Sequence, residues 1–344
     1  MALKIAINGF GRIGRCAARI ILNNPAEYEL SIINDTAERK MTRYLLKYDT
    51  VHGEFDQDVE VLNDDYIAIN GKKIRVYSTR DINDLDLRGI DVVLECTGKF
   101  LTKEQCQTYI AKGAKKVIMS APAKDDTPTF VLGVNSDKYE GQTIISNASC
   151  TTNCLGPVTR VLEDLYGIKK GLMTTIHAYT NGQSLVDVKC RDFRRSRAAA
   201  ANMIPTSTGA AKAMKLVMPS LDGKLHGQSI RVPVPNVSIV DLTAVLEKSV
   251  TKDELNSAFV EASKGSLKGI MAVDFDERVS SDFITSNYSS IVAADLTQVI
   301  CGDMIKVMAW YDNEWGYSNR LVEMAKFISE KWYEWDYFYK RYWI

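Results

Sequence analysis

The sequence predicts an α/β protein, with a parallel-sheet domain first and then an α+β domain built on a mostly antiparallel mixed sheet. Up to about residue 149, short β-rich runs alternate with amphipathic stretches, which is the rhythm of βαβ units. After residue 150 the strands lengthen and alternate, the pattern of an antiparallel sheet. The length of 344 residues also suits two domains better than one.

Leu3 to Asn8 is the first strand, feeding a glycine-rich turn and a helix over Arg15 to Leu22 with Ala17, Ala18, Ile20, Ile21 and Leu22 on its apolar face. Leu30 to Asn34 is the second strand. Asn70-Gly71, flanked by alternating runs between residues 66 and 77, marks a two-residue hairpin and so an antiparallel insert. Asp91 to Glu95, Lys116 to Ser120 and Ile144 to Ser146 continue the parallel sheet, with a helical stretch near residues 103–112. A helix from Cys150 to about Tyr166 follows, then strands Gly171 to Tyr179, His226 to Pro233 and Val237 to Leu246. Residues 181–209 lack strand periodicity and read as one long loop. Tyr317, Leu321, Met324, Ala325 and Ile328 recur at helical spacing and end the fold with a helix able to pack back on the first domain. Eight aromatic residues crowd positions 332–344, a tail that either covers apolar surface or meets another chain.

Composition is ordinary for a globular chain, with 46% apolar and 25% charged residues. Lysine plus arginine and aspartate plus glutamate each total 43, so no net field favours nucleic acid or anionic lipid as the main partner. The basic run Lys189, Arg191, Arg194, Arg195 and Arg197 reads as a solvated or subunit-facing loop. Seven cysteines, an odd number without framework spacing, point to free thiols in a reducing compartment. No apolar run suits a signal peptide or nears the roughly 18 residues of a membrane span, so a cytoplasmic protein without a membrane partner is expected.

Between the first strand and helix, Asn8 to Arg15 reads N-G-F-G-R-I-G-R and holds G-x-G-x-x-G. In that context Gly9 permits the tight turn, Gly11 lets backbone approach a pyrophosphate, and Gly14 lets helix and strand pack closely. The helix N-terminus then receives the anion. Asp35, 21 residues beyond Gly14 at the end of the next strand, would accept the adenosine ribose hydroxyls and repel a 2′-phosphate, which favours NAD over NADP. The first domain is thus a Rossmann-type fold.

Cys150 begins a helix, where the positive end of the dipole favours thiolate and the first-turn amides can hold an oxyanion. A cysteine alone is more often a small buried hydrophobe. His177, one of three histidines, changes that balance because its strand could bring it to Cys150 as a base. Cys154, four residues on, makes neither a metal site nor a redox pair with Cys150, since no second close cysteine pair exists and helical i, i+4 geometry suits a disulfide poorly. No metal site is expected. Thr206-Ser207-Thr208-Gly209 and Arg231 supply hydroxyls, an amide and a bidentate guanidinium, the equipment for phosphate oxygens.

From Lys4 to about Lys331 the chain closely resembles the phosphorylating glyceraldehyde-3-phosphate dehydrogenases. The resemblance rests on NGFGRIGR, on SNASCTTNC around Cys150, and on IHAYT with His177. It rests also on P-x-x-T-G-A-A-K from Pro205 to Lys212, RVPVPNV from Arg231, and WYDNEWGYSNR from Trp310. It implies a dinucleotide-binding domain over 1–149, completed by a C-terminal helix within 313–344, a catalytic and tetramerisation domain over 150–312, and a homotetramer. It implies that Cys150 attacks the aldehyde of glyceraldehyde 3-phosphate, that His177 is its base, and that inorganic phosphate cleaves the resulting thioester. Thr180 and Arg231 match the substrate-phosphate site, and Ser149, Thr151, Thr208 and Gly209 the inorganic-phosphate site. Arg12 and Ile13 match pyrophosphate contacts and Asp35 the ribose contact. Asn313 matches the residue that orients the nicotinamide carboxamide, and Thr97, Ser120 and Tyr317 line the nicotinamide side. The nearest rival, an erythrose-4-phosphate dehydrogenase, fits Thr180 and Thr208-Gly209 less well. Three features depart from the pattern: Gly182 where many bacterial relatives carry aspartate, Val188-Lys189 where leucine-proline is usual, which leaves room for NADP use, and the aromatic tail.

Overall fold

The computed structural model describes residues 2–342, with side chains described as far as Lys331. The aromatic side chains of residues 332–344, singled out in the sequence, lie outside the described residues. The chain separates into two compact units. Of the described residues, the first comprises 2–130, 138–148 and 318–342, and the second 131–137 and 149–317.

The first unit holds β1 (Leu3–Asn8), α1 (Arg12–Asn23), β2 (Tyr28–Asn34), α2 (Arg39–Lys47), β3 (Val59–Asn63), β4 (Tyr66–Ile69) and β5 (Lys72–Tyr77). After these come β6 (Val92–Glu95), α3 (Lys103–Ala111), β7 (Lys116–Met119) and β8 (Ile144–Ser146). Its sheet runs β3-β4-β5-β2-β1-β6-β7-β8, parallel from β5 to β8 and antiparallel at the β3-β4-β5 edge. The hairpin at Asn70-Gly71 forms with both residues at positive φ, 47° and 77°, which only a mirror-image turn tolerates. Helix α1 starts three residues before the sequence pattern suggested, because Gly14 in its first turn is a poor helix former and hides the periodicity. Ile32, Val93, Val117, Met119 and Ile144 pack with Cys106 and Tyr109 of α3 into one core.

The second unit holds α4 (Cys150–Tyr166), β9 (Ile168–Ala178), β10 (Ile204–Ser207), α5 (Ala210–Val217), β11 (Leu225–Val232), β12 (Ser238–Leu246) and α6 (Lys252–Lys264). The elements β13 (Met271–Asp274), β14 (Ser290–Ala293), β15 (Gln298–Ile300), β16 (Met304–Tyr311) and α7 (Trp315–Tyr342) follow. From Ser318 onward α7 belongs to the first unit, where Leu321, Met324, Ala325 and Ile328 are buried and Lys326 pairs with Glu27 at 2.7 Å. The second sheet runs β10-β11-β9-β12-β16-β14-β13, with β15 beside β16, and is mostly antiparallel. The exceptions are β11 on β9 and β13 on β14, which are parallel.

The expectation of one loop over residues 181–209 needs correction, because β10 lies inside it. Pro-Thr-Ser has the composition of a turn, but Ile204 and Thr206 face inward while Pro205 and Ser207 face outward. Pro205 is tolerated because β10 is an edge strand. Among the described residues, no helix is long and apolar enough to cross a membrane.

Candidate active site

In the first unit, β1 ends in a turn that only glycine can make. Gly9 has φ 92°, and a Cβ there would stand 2.7 Å from the Thr97 amide nitrogen. A Cβ on Gly14 would lie 2.1 Å from the Gly9 carbonyl, so α1 rests almost directly on the end of β1. A Cβ on Gly11 would meet nothing within 4 Å, and open space lies beside the backbone at the mouth of the helix. A cleft of about 220 Å³ forms there, lined in part by Gly9, Gly11, Asp35, Thr97 and Phe100.

The Asp35 carboxylate accepts from the amides of Phe10 and Ala37, both at 2.9 Å, which fixes it at the cleft with lone pairs left for hydroxyl groups. Beneath the cleft, Glu95 is buried and accepts from Asn8, Tyr109 and both the amide and hydroxyl of Thr97. Burial raises its pKa against those hydrogen bonds. The Thr97 hydroxyl is therefore committed to Glu95. The Ser120 amide donates to the Glu95 carbonyl, which sets Ser120 at the end of β7. Arg12 turns its guanidinium to Asp49, and despite burial that pairing holds the Asp49 carboxyl well below its usual range. Arg12 and Ile13 occupy the first turn of α1, where helix geometry leaves backbone N–H groups without intrahelical acceptors. Open space at Gly11, the start of α1 beside it and a fixed carboxylate at the next strand together fit a dinucleotide.

Ahead of α4 the chain passes through a left-handed Ala148, φ 56°, and enters the second unit at Ser149. Ser149 caps α4, its hydroxyl accepting from the Thr152 amide at 3.1 Å. That geometry sets Cys150 at the first helical position, with Sγ 3.5 Å from His177 Nε2. His177 lies near the end of β9, and the parallel register places Arg231 of β11 beside it. Arg231 Nη1 lies 2.6 Å from His177 Nδ1 and 2.9 Å from the Ala178 carbonyl, while its Nε is buried without a partner.

The His177 pKa falls to about 3, through burial first and then the Arg231 charge, so the imidazole is neutral near pH 7. Burial also raises the Cys150 thiol, opposed by Arg231 and by hydrogen bonds with Thr151 and at its own amide. The thiolate stabilisation expected from the helix N-terminus alone is thus outweighed by desolvation.

Sequence reasoning missed two residues. Tyr311, at the end of β16, stands edge-on to His177 with ring centres 5.9 Å apart, and its hydroxyl joins those of Thr151 and Thr175 at 2.9 and 2.8 Å. Arg195 lies in the basic run expected to be a solvated or subunit-facing loop; it donates to Thr206 at 2.9 Å and its charge acts on Arg231. In the same run Arg197 pairs with Asp187 at 2.7 Å. Pairing with β10 at Thr206 was the available signal for Arg195, and it depended on recognising that strand.

Thr180 is exposed two residues beyond β9, and its hydroxyl would lie 3.7 Å from a Cβ at Gly182. Thr208 accepts from the Ala210 amide at 3.2 Å, with Gly209 capping α5. Among the described residues no hydrogen bond joins Thr180 or Thr208 to Arg231 or Cys150. Asn313 is buried, its side-chain carbonyl accepting from Ser238 at 2.8 Å, and Tyr317 is buried as well. Cys154 is buried, with Sγ 3.6 Å from the Ala309 carbonyl.

A dinucleotide fold in one unit and a thiol, imidazole and guanidinium in the other define a cysteine-dependent nicotinamide oxidoreductase. Residues 3–103 match the model of the glyceraldehyde 3-phosphate dehydrogenase NAD binding domain, and residues 149–313 that of the C-terminal domain. The chain is 50% identical over 335 residues to glyceraldehyde-3-phosphate dehydrogenase 1 of Bacillus subtilis and to glyceraldehyde-3-phosphate dehydrogenase of Geobacillus stearothermophilus. In each case 96% of this chain and 99% of the relative are covered. It is also 50% identical to the chloroplastic glyceraldehyde-3-phosphate dehydrogenase A of Zea mays, over 96% of this chain and 83% of that one. The chain belongs to the glyceraldehyde 3-phosphate dehydrogenase family, and its cofactor is NAD.

Proposed function

We propose that the chain oxidises glyceraldehyde 3-phosphate with NAD and inorganic phosphate to 1,3-bisphosphoglycerate, with Cys150 as nucleophile and His177 as base. The observation that carries this reading is the 3.5 Å approach of Cys150 Sγ to His177 Nε2 at the start of a helix. His177 takes the thiol proton and returns it to the aldehyde oxygen as the Sγ–C bond forms, giving a thiohemiacetal. Bound NAD supplies the hydride acceptor. His177 withdraws the hydroxyl proton as hydride leaves, and Cys150 is left as a thioester. A phosphate oxygen then attacks the thioester carbonyl and expels the Cys150 sulfur, forming the acyl phosphate.

The unpartnered Arg231 Nε supports a role on the substrate phosphate, together with Thr180, and Ser149, Thr151, Thr208 and Gly209 serve the inorganic phosphate. Gly9, Gly11, Arg12, Ile13, Gly14, Asp35, Thr97 and Ser120 form the cofactor site, with Asn313 and Tyr317 on its nicotinamide side. Residues 1–149 with the helix within 313–344 bind the dinucleotide, and 150–312 carry catalysis and assembly. Exposed apolar side chains at Leu185, Val186, Val188, Phe193 and Met203 support a subunit-facing segment and a homotetramer. Exposed Lys189 leaves NADP as an alternative cofactor, and the protein acts in the cytoplasm.

Cys150→Ser is expected to abolish NADH formation, and full activity in that variant overturns the assignment. A higher kcat/KM for erythrose 4-phosphate than for the triose would transfer the reading to the rival substrate.

A further inference from the structure

Within the first unit, a chain of side chains crosses the ends of four neighbouring strands, β5, β2, β1 and β6. The Thr79 amide, just past β5, donates to Asn34 Oδ1 at 3.1 Å, and Asn34 Nδ2 returns a bond to the Thr79 carbonyl at 3.0 Å. Asn34 Nδ2 also donates to Asn8 Oδ1 at 2.6 Å, and Asn8 Nδ2 to Glu95 Oε2 at 2.8 Å. At the far end the Thr97 amide donates to Glu95 Oε1 at 2.7 Å. Asn8, Asn34, Thr79 and Thr97 line the same cleft as Asp35.

The polarity of this relay is fixed from both ends. A backbone N–H only donates, so Thr79 turns the oxygen of Asn34 toward itself and the nitrogen toward Asn8, which repeats the choice and points its own nitrogen at Glu95. An amide side chain that accepts on one side and donates on the other passes polarity along without reversing it. Two backbone amides that both point inward must therefore meet at a group accepting on both sides, which an ionised carboxylate does and an amide does not. The remaining lone pairs of Glu95 are used as well. The Tyr109 hydroxyl accepts from Asn8 and donates to Glu95, and the Thr97 hydroxyl accepts from the Lys99 amide at 3.1 Å and donates to Glu95. Burial works against the charge and these four donors work for it.

We propose that Glu95 is a positioning residue for the cofactor: as the double acceptor where the relay's two ends meet, it holds Thr97 and Thr79 in the orientation that binds NAD. This rests on the assignment of the cleft as the cofactor site. The charge is required, and the shape alone does not suffice. Glutamine at position 95 matches the shape, but its nitrogen must face donors. Turned toward Thr97, it opposes that backbone amide; turned toward Asn8, it reverses both asparagines and opposes the Thr79 amide. Exchanging the two groups removes the conflict. In Asn8→Asp/Glu95→Gln the amide introduced at position 95 gives its oxygen to Thr97 and its nitrogen to the carboxylate at position 8, which accepts from Asn34 as the Asn8 oxygen does now.

The test is calorimetric titration of NAD into the intact enzyme, with thermal melting of the same samples. Leaving one buried backbone donor opposed by another is expected to weaken NAD binding about tenfold in Glu95→Gln, and the exchange variant Asn8→Asp/Glu95→Gln to recover affinity to within about threefold of wild type. A merely structural Glu95 would lower the melting temperature of Glu95→Gln and leave the NAD affinity of the folded enzyme unchanged, and that outcome overturns the inference. An exchange variant that binds NAD no more tightly than Glu95→Gln overturns it too, because the relay is satisfied throughout in that variant. Where Glu95→Gln does not fold, the exchange variant decides alone: failure to fold, or affinity about tenfold or more below wild type, overturns the inference. Unchanged NAD affinity in Gly11→Ala would instead remove the cleft assignment beneath it.

Discussion

Replacing Gly14 by alanine places a Cβ 2.1 Å from the Gly9 carbonyl oxygen and 3.2 Å from Ile7 Cγ2. A carbon–oxygen contact is ordinary at about 3.3 Å or more, so the first turn of α1 must retreat from β1 by about 1 Å. Overpacking of this kind costs about 1–3 kcal/mol, and the retreat carries the first-turn amides away from the cleft. If the retreat costs binding as much as it costs packing, then at about 1.4 kcal/mol per factor of ten NAD affinity should fall roughly fivefold to a hundredfold, accompanied by a lower melting temperature. Gly11→Ala is the paired control. Its Cβ meets no protein atom within 4 Å, so stability should hold while NAD binding weakens, because the methyl enters the space assigned to the cofactor. Calorimetric titration with NAD and thermal melting read both effects. Unchanged affinity in Gly11→Ala would refute the claim that cofactor occupies that space, and unchanged melting and affinity in Gly14→Ala would refute the close-packing argument.

Tyr311→Phe keeps the ring against His177 but strips Thr151 and Thr175 of a shared partner, with a loss of about 1–3 kcal/mol expected as a lower denaturation midpoint and little change in the KM for NAD. Acid should destabilise the fold through His177. Its pKa is near 3 folded and 6.5 unfolded, so the unfolded chain binds a proton that the native one refuses. This group's contribution is intact above pH 6.5 and falls by about 1.4 kcal/mol per unit as pH drops toward 3, so His177→Asn should show a shallower pH dependence of its urea midpoint.

The dinucleotide half of the site was legible because its signals are local. Gly9 and Gly14 occupy positions that admit no side chain, and Asp35 follows at the end of the next strand, so spacing along the chain carries the geometry. The Cys150–His177 pairing was legible as residue types at a helix start and on a strand, but their approach depends on the β9 register. Tyr311 left no comparable trace. It sits in an alternating strand as any buried tyrosine would, and its hydroxyl partners come from positions 151 and 175. The contact of Arg195 with Thr206 left little trace for a similar reason, since Thr206 belongs to an edge strand whose Pro205 resembles a turn. Ser149 and Thr151 were matched as phosphate ligands, yet their hydroxyls also cap α4 and hold Tyr311, which composition alone could not reveal.

The most direct test of the central claim is the stoichiometry of NADH formed from glyceraldehyde 3-phosphate and NAD in a rapid-mixing experiment, without and then with inorganic phosphate. Chemistry through a Cys150 thioester predicts a burst of about one NADH per active site that stalls without phosphate and passes into steady turnover once phosphate is added. Steady turnover of equal rate without phosphate, or no burst at all, would contradict it.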